Sequence, residues 1–156
     1  MNPEDKVYPG EETLTISCDA SFHPKLKKGG YAFWISHYQG SIKRSGTFHE
    51  PLLDATEAEI KAVCNAFHFI ESKFGRTIKL VFVNCDNATV RSIIKGKKFS
   101  NRYKAVSKTL TKYVRKYELV IAKHINGHRP GYNSRQYVNN WCDEHSRNYL
   151  KRSKNH

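Results

Sequence analysis

Negative charge is what this chain has least of. Its 156 residues hold 14 Asp and Glu against 27 Lys and Arg, a formal net charge of +13. That imbalance points to a polyanionic partner, nucleic acid first and an acidic membrane surface second, though charge by itself also serves solubility. Long apolar runs are missing too: none approaches the roughly 20 residues of a membrane span. Residues Met1 to Glu12 are acidic and contain proline, the opposite of a secretory leader. A soluble, cytoplasmic protein is expected, and a monomer. Cys18, Cys64, Cys85 and Cys142 form no Cys-x-x-Cys pair, so a zinc site has little support and buried, reduced thiols are expected. With no internal repeat and no dividing linker, residues 13–151 read as one domain between a mobile arm, 1–12, and a basic tail, 152–156.

What is present alternates and then changes period. Leu14, Ile16 and Cys18 face one way, and Thr15, Ser17 and Asp19 the other, so Leu14 to Ser21 reads as a strand ending on a carboxylate. After the basic turn His23 to Gly30, Tyr31 to Tyr38 and Ser41 to Phe48 continue an antiparallel meander. Ile60, Val63, Cys64, Phe67, Ile70 and Phe74 then recur at helical spacing, with Asp54 or Thr56 as the cap and Gly75 as the stop. Thr77 to Asn84 suits a central parallel strand, followed by a short helix, Asn87 to Lys95, closed by Gly96. A helix over Lys104 to Tyr117, a strand over Glu118 to Ile125, a loop over Asn126 to Asn133 and a closing helix over Ser134 to Lys151 complete the order βββαβααβα. The fold class is α/β: a five-stranded mixed sheet flanked by helices, its first strand beside its fourth.

The few acids fall at informative places. Asp19 and Asp86 end the two strands expected to be parallel neighbours, where ligands of such sheets gather. Glu59 leans inward with Ile60 and Val63, and Asp143 follows Cys142 on the closing helix. Two unit charges about 4 Å apart repel by roughly 4 kcal/mol at an effective dielectric of 20, so four carboxylates together need divalent cations. All-oxygen ligands suit Mg²⁺ or Mn²⁺, and two such ions can cleave a phosphodiester.

These residues resemble a known family. Cys18-Asp19-Ala20-Ser21, Gly29-Gly30-Tyr31-Ala32, Glu59-Ile60-Lys61-Ala62, Asn84-Cys85-Asp86-Asn87, His124-Ile125-Asn126-Gly127-His128 and Asn139-Asn140-Trp141-Cys142-Asp143-Glu144 are similar, in order, to ribonuclease H type 1. The resemblance implies a ribonuclease H-like fold and two-metal endonucleolytic cleavage of the RNA strand of RNA–DNA hybrids, leaving 5′-phosphate and 3′-hydroxyl ends. It makes Asp19, Glu59, Asp86 and Asp143 the ligands of two Mg²⁺ ions and His128 a mobile catalytic histidine. Ser21, Lys25, Lys27, Lys28 and Asn87 are expected to touch nucleic acid.

Plainer readings stand beside these. Thr56 to Glu59 is also a capping box in which Glu59 would only satisfy the helix start; within the set of four, metal holding is the consistent reading. Asp86 and Asp143 would otherwise be helix-start and surface residues, and His124 and His145 structural. The chain also departs from the family pattern: Ala20 replaces a glycine, His23-Pro24-Lys25-Leu26-Lys27-Lys28 replaces an Asn-Pro-Gly turn, and Asp54-Ala55 replaces a Thr-Asn pair. Both of the latter changes remove contacts that tell hybrid from other duplexes.

Asn87 to Tyr117 holds ten Lys and Arg and no acid. Lys97, Lys98, Lys104, Lys108 and Lys112 are expected to grip phosphates, against the alternative of an ordinary solvated face. Two rivals remain for the whole: a nucleic-acid-binding module without catalysis, and a DNA-directed, integrase- or resolvase-like nuclease on the same fold.

Overall fold

The computed structural model describes residues 6–97, 100–124 and 140–148. The alternating segments form the meander: β1 (Thr13–His23), β2 (Lys28–His37) and β3 (Gly40–Thr47). The chain then runs through α1 (Ala55–Phe74), β4 (Leu80–Asn84), α2 (Ala88–Ile94), α3 (Lys104–Val114) and β5 (Leu119–Lys123). Residues 140–148 form α4. The sheet order is β3-β2-β1-β4-β5, with β1 antiparallel to β2 and parallel to β4. The expected five-stranded mixed sheet, with first strand beside fourth, is therefore what forms.

Alternation along β1 sorts side chains between two layers. Leu14, Ile16 and Cys18 enter the main core with Ile60, Val63, Phe67 and Ile70 of α1, Val81 and Val83 of β4, and Leu110 of α3. On the other face Ala32, paired with Asp19 across the β1–β2 ladder, packs against Cys142 of α4, with Trp34 and Trp141 beside them. All four thiols are free and buried.

Several boundaries move for local reasons. Asp54, not Thr56, caps α1, its Oδ1 accepting from Glu57 N–H at 2.9 Å, while Glu57 Oε1 accepts from Leu53 N–H. Gly75 ends the helix at φ 59°, and Gly96 follows α2 at φ 78°, in a region where a Cβ would be strained. Helix α3 stops at Val114, three residues before the expected end; Tyr117 N–H reaches only Val114 O. Its wholly buried residues are Ser107 and Leu110, with Val106 and Val114 at the margin. Of the expected N-terminal arm, residues 6–12 make defined contacts: a short 3-10 turn at Gly10–Glu12, Glu12 O accepting from Lys79 N–H, and Lys6 paired with Glu118. The tail 152–156 and the first residues of the expected closing helix lie outside the described residues. No helix among the described residues is long and apolar enough to cross a membrane.

Candidate active site

Strand β1 outlasts its parallel neighbour. The β1–β4 ladder ends at Ser17 paired with Asn84, whereas β1 continues beside β2 to His23. Asp19 thus lies within β1 rather than at its end, two residues past the point where β4 leaves the sheet. That opening receives a carboxylate from each layer. Ala20 N–H donates to Asp19 Oδ1 at 2.9 Å and to Glu59 Oε1 at 3.3 Å, so the helix on one face delivers Glu59 to the strand. Glu59 is therefore not the helix cap; that work falls to Asp54 and Glu57. From the other face α4 brings Asp143 close enough to act on Asp19 by hydrogen bond and by charge. Ser21 Oγ donates to Ser146 O at 2.9 Å and Cys142 Sγ lies 3.6 Å from Ser17 O, fixing α4 against β1.

The electrostatics register this convergence. Desolvation, reinforced by Asp143, pushes the Asp19 carboxyl up from 3.8 to about 7. Glu59 is raised well above the ordinary carboxylate range by burial and then by the charge of Asp19, with a smaller contribution from Asp86. Glu59 is the member of the pair that holds a shared proton at neutral pH, since its bond to Asp19 favours its own neutral form.

The other two acids turn outward. Asp86 Oδ1 lies 3.1 Å from His124 Nε2, and Asp143 Oδ2 lies 2.9 Å from Arg147 Nη2 one turn along α4. Among the described residues no group of three or more His, Cys, Asp and Glu side chains stands in metal-holding geometry. The donor chemistry nevertheless fits a hard divalent cation. Asp19 and Glu59 are oxygen ligands whose mutual repulsion, desolvation and proton sharing are all relieved by positive charge between them.

His124 is the residue that sequence reading set aside. It follows the last residue of β5, whose Lys123 pairs with Asn84 and accepts from Cys85 N–H through its carbonyl. The only signal in the sequence was its place at the end of a strand expected beside the fourth. His128 lies outside the described residues, as does Lys98.

The expected nucleic-acid contacts divide. Lys25, Lys27 and Lys28 are exposed on the β1–β2 turn, and Lys97, Lys104, Lys108 and Lys112 are exposed on or before α3. Ser21 is committed to Ser146, and the Asn87 side chain caps α2 by accepting from Val90 N–H at 3.0 Å. Asp54 also receives Arg102 Nε at 2.9 Å and Tyr103 Oη at 2.6 Å, tying the start of α1 to the segment before α3. The roomiest groove, about 900 Å³ between the β2–β3 hairpin, α1 and α3, is lined by none of the four carboxylates. They sit on an open sheet edge, the shape a polymer can approach.

A family model described as reverse transcriptase-like matches residues 17–129. The chain belongs to that family. The matched span takes in Asp19, Glu59 and Asp86 and ends before Asp143. A comparison with curated protein sequences finds no match. Solved structures share the ribonuclease H-like fold with this reverse transcriptase-like chain. The N-terminal RNase H domain of a Mycobacterium tuberculosis protein superposes with a TM-score of 0.72 at 10% identity, covering 92% of this chain and 96% of that one. RNase H1 of Halobacterium salinarum gives 0.67 at 12% identity, covering 89% and 98%. LC11-RNase H1, solved in complex with an RNA/DNA hybrid, gives 0.70 at 14% identity, covering 90% and 98%.

Proposed function

We propose that this chain is a divalent-cation-dependent ribonuclease H that cleaves the RNA strand of RNA–DNA hybrids. The observation that carries the reading is the meeting of Asp19, Glu59 and Asp143, from β1, α1 and α4, at the edge β4 vacates. A surface meant only to hold phosphates gains nothing from acids in that position. The net charge of +13 supplies attraction for a polyanion around them.

In this proposal Asp19, Glu59, Asp86 and Asp143 hold two Mg²⁺ ions, with Asp19 shared between them and Mn²⁺ as a substitute. Ions bound there supply Lewis-acid chemistry, acidifying a water and neutralising charge on the leaving oxygen. The chain's own part is to bring the four carboxylates to one edge, to release the proton that Glu59 holds, and to turn Asp86 and Asp143 inward from His124 and Arg147. His124 is a positioning residue, acting through Asp86. His128 retains the proton-transfer role that the family resemblance gives it. The products are 5′-phosphate and 3′-hydroxyl ends.

End-labelled hybrid, double-stranded RNA and double-stranded DNA, each incubated with Mg²⁺ or Mn²⁺, test this reading, with Asp86→Asn as the blank. Cleavage confined to the RNA of the hybrid is the expected result. Binding without turnover favours the non-catalytic module, and cleavage of double-stranded DNA favours the integrase-like alternative. Equal cleavage by Asp86→Asn refutes the site.

A further inference from the structure

Strain and exposed apolar surface coincide at the turn from β1 to β2. Lys27 is the one described non-glycine residue with positive φ, at 55°, a region side chains with a Cβ avoid. The turn is pinned there: Lys27 N–H donates to His23 O at 2.9 Å, Leu52 N–H donates to Lys27 O at 2.8 Å, and Leu26 N–H donates to His23 Nδ1 at 3.2 Å. The Lys27–Leu52 bond has an exposed leucine on each side of it. Leu26 is 46% and Leu53 44% exposed, two of only four large apolar residues so exposed among those described. Lys25, Lys27 and Lys28 surround the first of them.

This turn lies beyond Asp19 on the same strand. His23 is four residues on, about 13 Å at the usual strand rise, and Leu53 precedes Glu59 by six residues. Single exposed leucines are ordinary. Two of them, presented from a strained backbone beside a cluster of lysines and next to the carboxylates, match the apolar wedge flanked by cations with which proteins enter a minor groove.

We infer that Leu26 and Leu53 form an apolar minor-groove contact, packing on the sugar edges of a nucleic-acid duplex while Lys25, Lys27 and Lys28 meet the phosphates on either side. The inference rests on the nuclease reading above and extends it to specificity. Leucine offers neither donor nor acceptor, so this contact does not read a 2′-hydroxyl. It therefore tightens hybrid and double-stranded RNA alike, leaving discrimination between them to the cleavage step.

Fluorescence anisotropy in EDTA, where nothing is cut, separates the contributions. The parent, Leu26→Ser/Leu53→Ser and Leu26→Met/Leu53→Met are titrated against labelled hybrid and labelled double-stranded RNA over a range of salt. The serine pair is expected to raise Kd about tenfold to a hundredfold on both duplexes, from the lost burial of two half-exposed leucines. Its log–log salt slope stays at the parent value, because no phosphate contact is removed. The methionine pair, apolar and similar in volume, stays within about threefold of the parent. Circular dichroism confirms that each variant is folded, and Leu26→Ser alone replaces the pair should the pair not fold. A Kd for the serine variant within about twofold of the parent overturns the inference, as does a salt slope that falls with affinity. If the parent binds and cuts hybrid while the serine variant binds equally well, this inference alone fails. If the parent binds neither duplex, the nuclease reading fails and takes it along.

Discussion

Replacing Asp19 with Asn tests whether the carboxylates are as crowded as their geometry implies. The Asp19 carboxyl rises from 3.8 to about 7 in the folded chain. An acid whose folded value lies above its unfolded one binds more protons when folded, so stability falls as pH rises between those two values. The loss begins near pH 4 and is complete above about pH 7. A rise of a little over three pH units, at about 1.4 kcal/mol each, sets a ceiling near 4 kcal/mol, and half of that is a cautious expectation. Asp19→Asn keeps the shape and removes the charge, so in EDTA it should match the parent at pH 4 and exceed it by about 2 kcal/mol at pH 8. For a chain of this length that is a gain of about 4–8 °C in Tm. The assay is a thermal melt of parent and variant in EDTA at half-unit steps from pH 4 to pH 8.5, repeated with Mn²⁺. Added Mn²⁺ should stabilise the parent at pH 8, in proportion to the logarithm of its concentration above Kd, and the variant far less. Parallel pH profiles without metal, or equal stabilisation of both proteins by Mn²⁺, would refute the crowding argument.

Three further outcomes are expected. Asp54→Ala removes the cap of α1 together with its bonds to Arg102 and Tyr103 and should lower stability by about 1–2 kcal/mol in urea unfolding. Gly29→Ala would place a Cβ 2.2 Å from Ser21 O and 2.9 Å from Leu52 Cδ1. It should destabilise by about 1–3 kcal/mol, read as a lower urea midpoint, because the nearer contact is backbone and cannot turn aside. Replacing Lys104, Lys108 and Lys112 with Glu should weaken hybrid binding and flatten its salt dependence, from a log–log slope near −4.5 for about five neutralised phosphates toward −2. An unchanged slope would make α3 an ordinary solvated face.

How far the chain could be read in advance depended on how local each interaction is. Periods of two and of 3.6 are written in neighbouring residues, so β1, α1 and α3 were legible from Leu14, Ile16 and Cys18, from Ile60, Val63 and Phe67, and from Leu110. Stops at Gly75 and Gly96 were legible for the same reason, since a positive φ favours glycine whatever surrounds it. Scarcity of acid made Asp19, Glu59, Asp86 and Asp143 stand out before any contact was known. What separates Glu59 from a cap, however, is a hydrogen bond to Ala20 across 39 residues, and the rival cap Asp54 shows only once its bonds are seen. Ser21 looked free for a ligand until α4 arrived from 125 residues away to take its hydroxyl. His124 came to Asp86, and Leu26 and Leu53 came to flank one hydrogen bond, through pairings between distant segments. Composition and periodicity thus dictated the layers and the candidate acids. Strand register and the docking of α4, whose energies come from partners far away in the chain, decided which side chains meet.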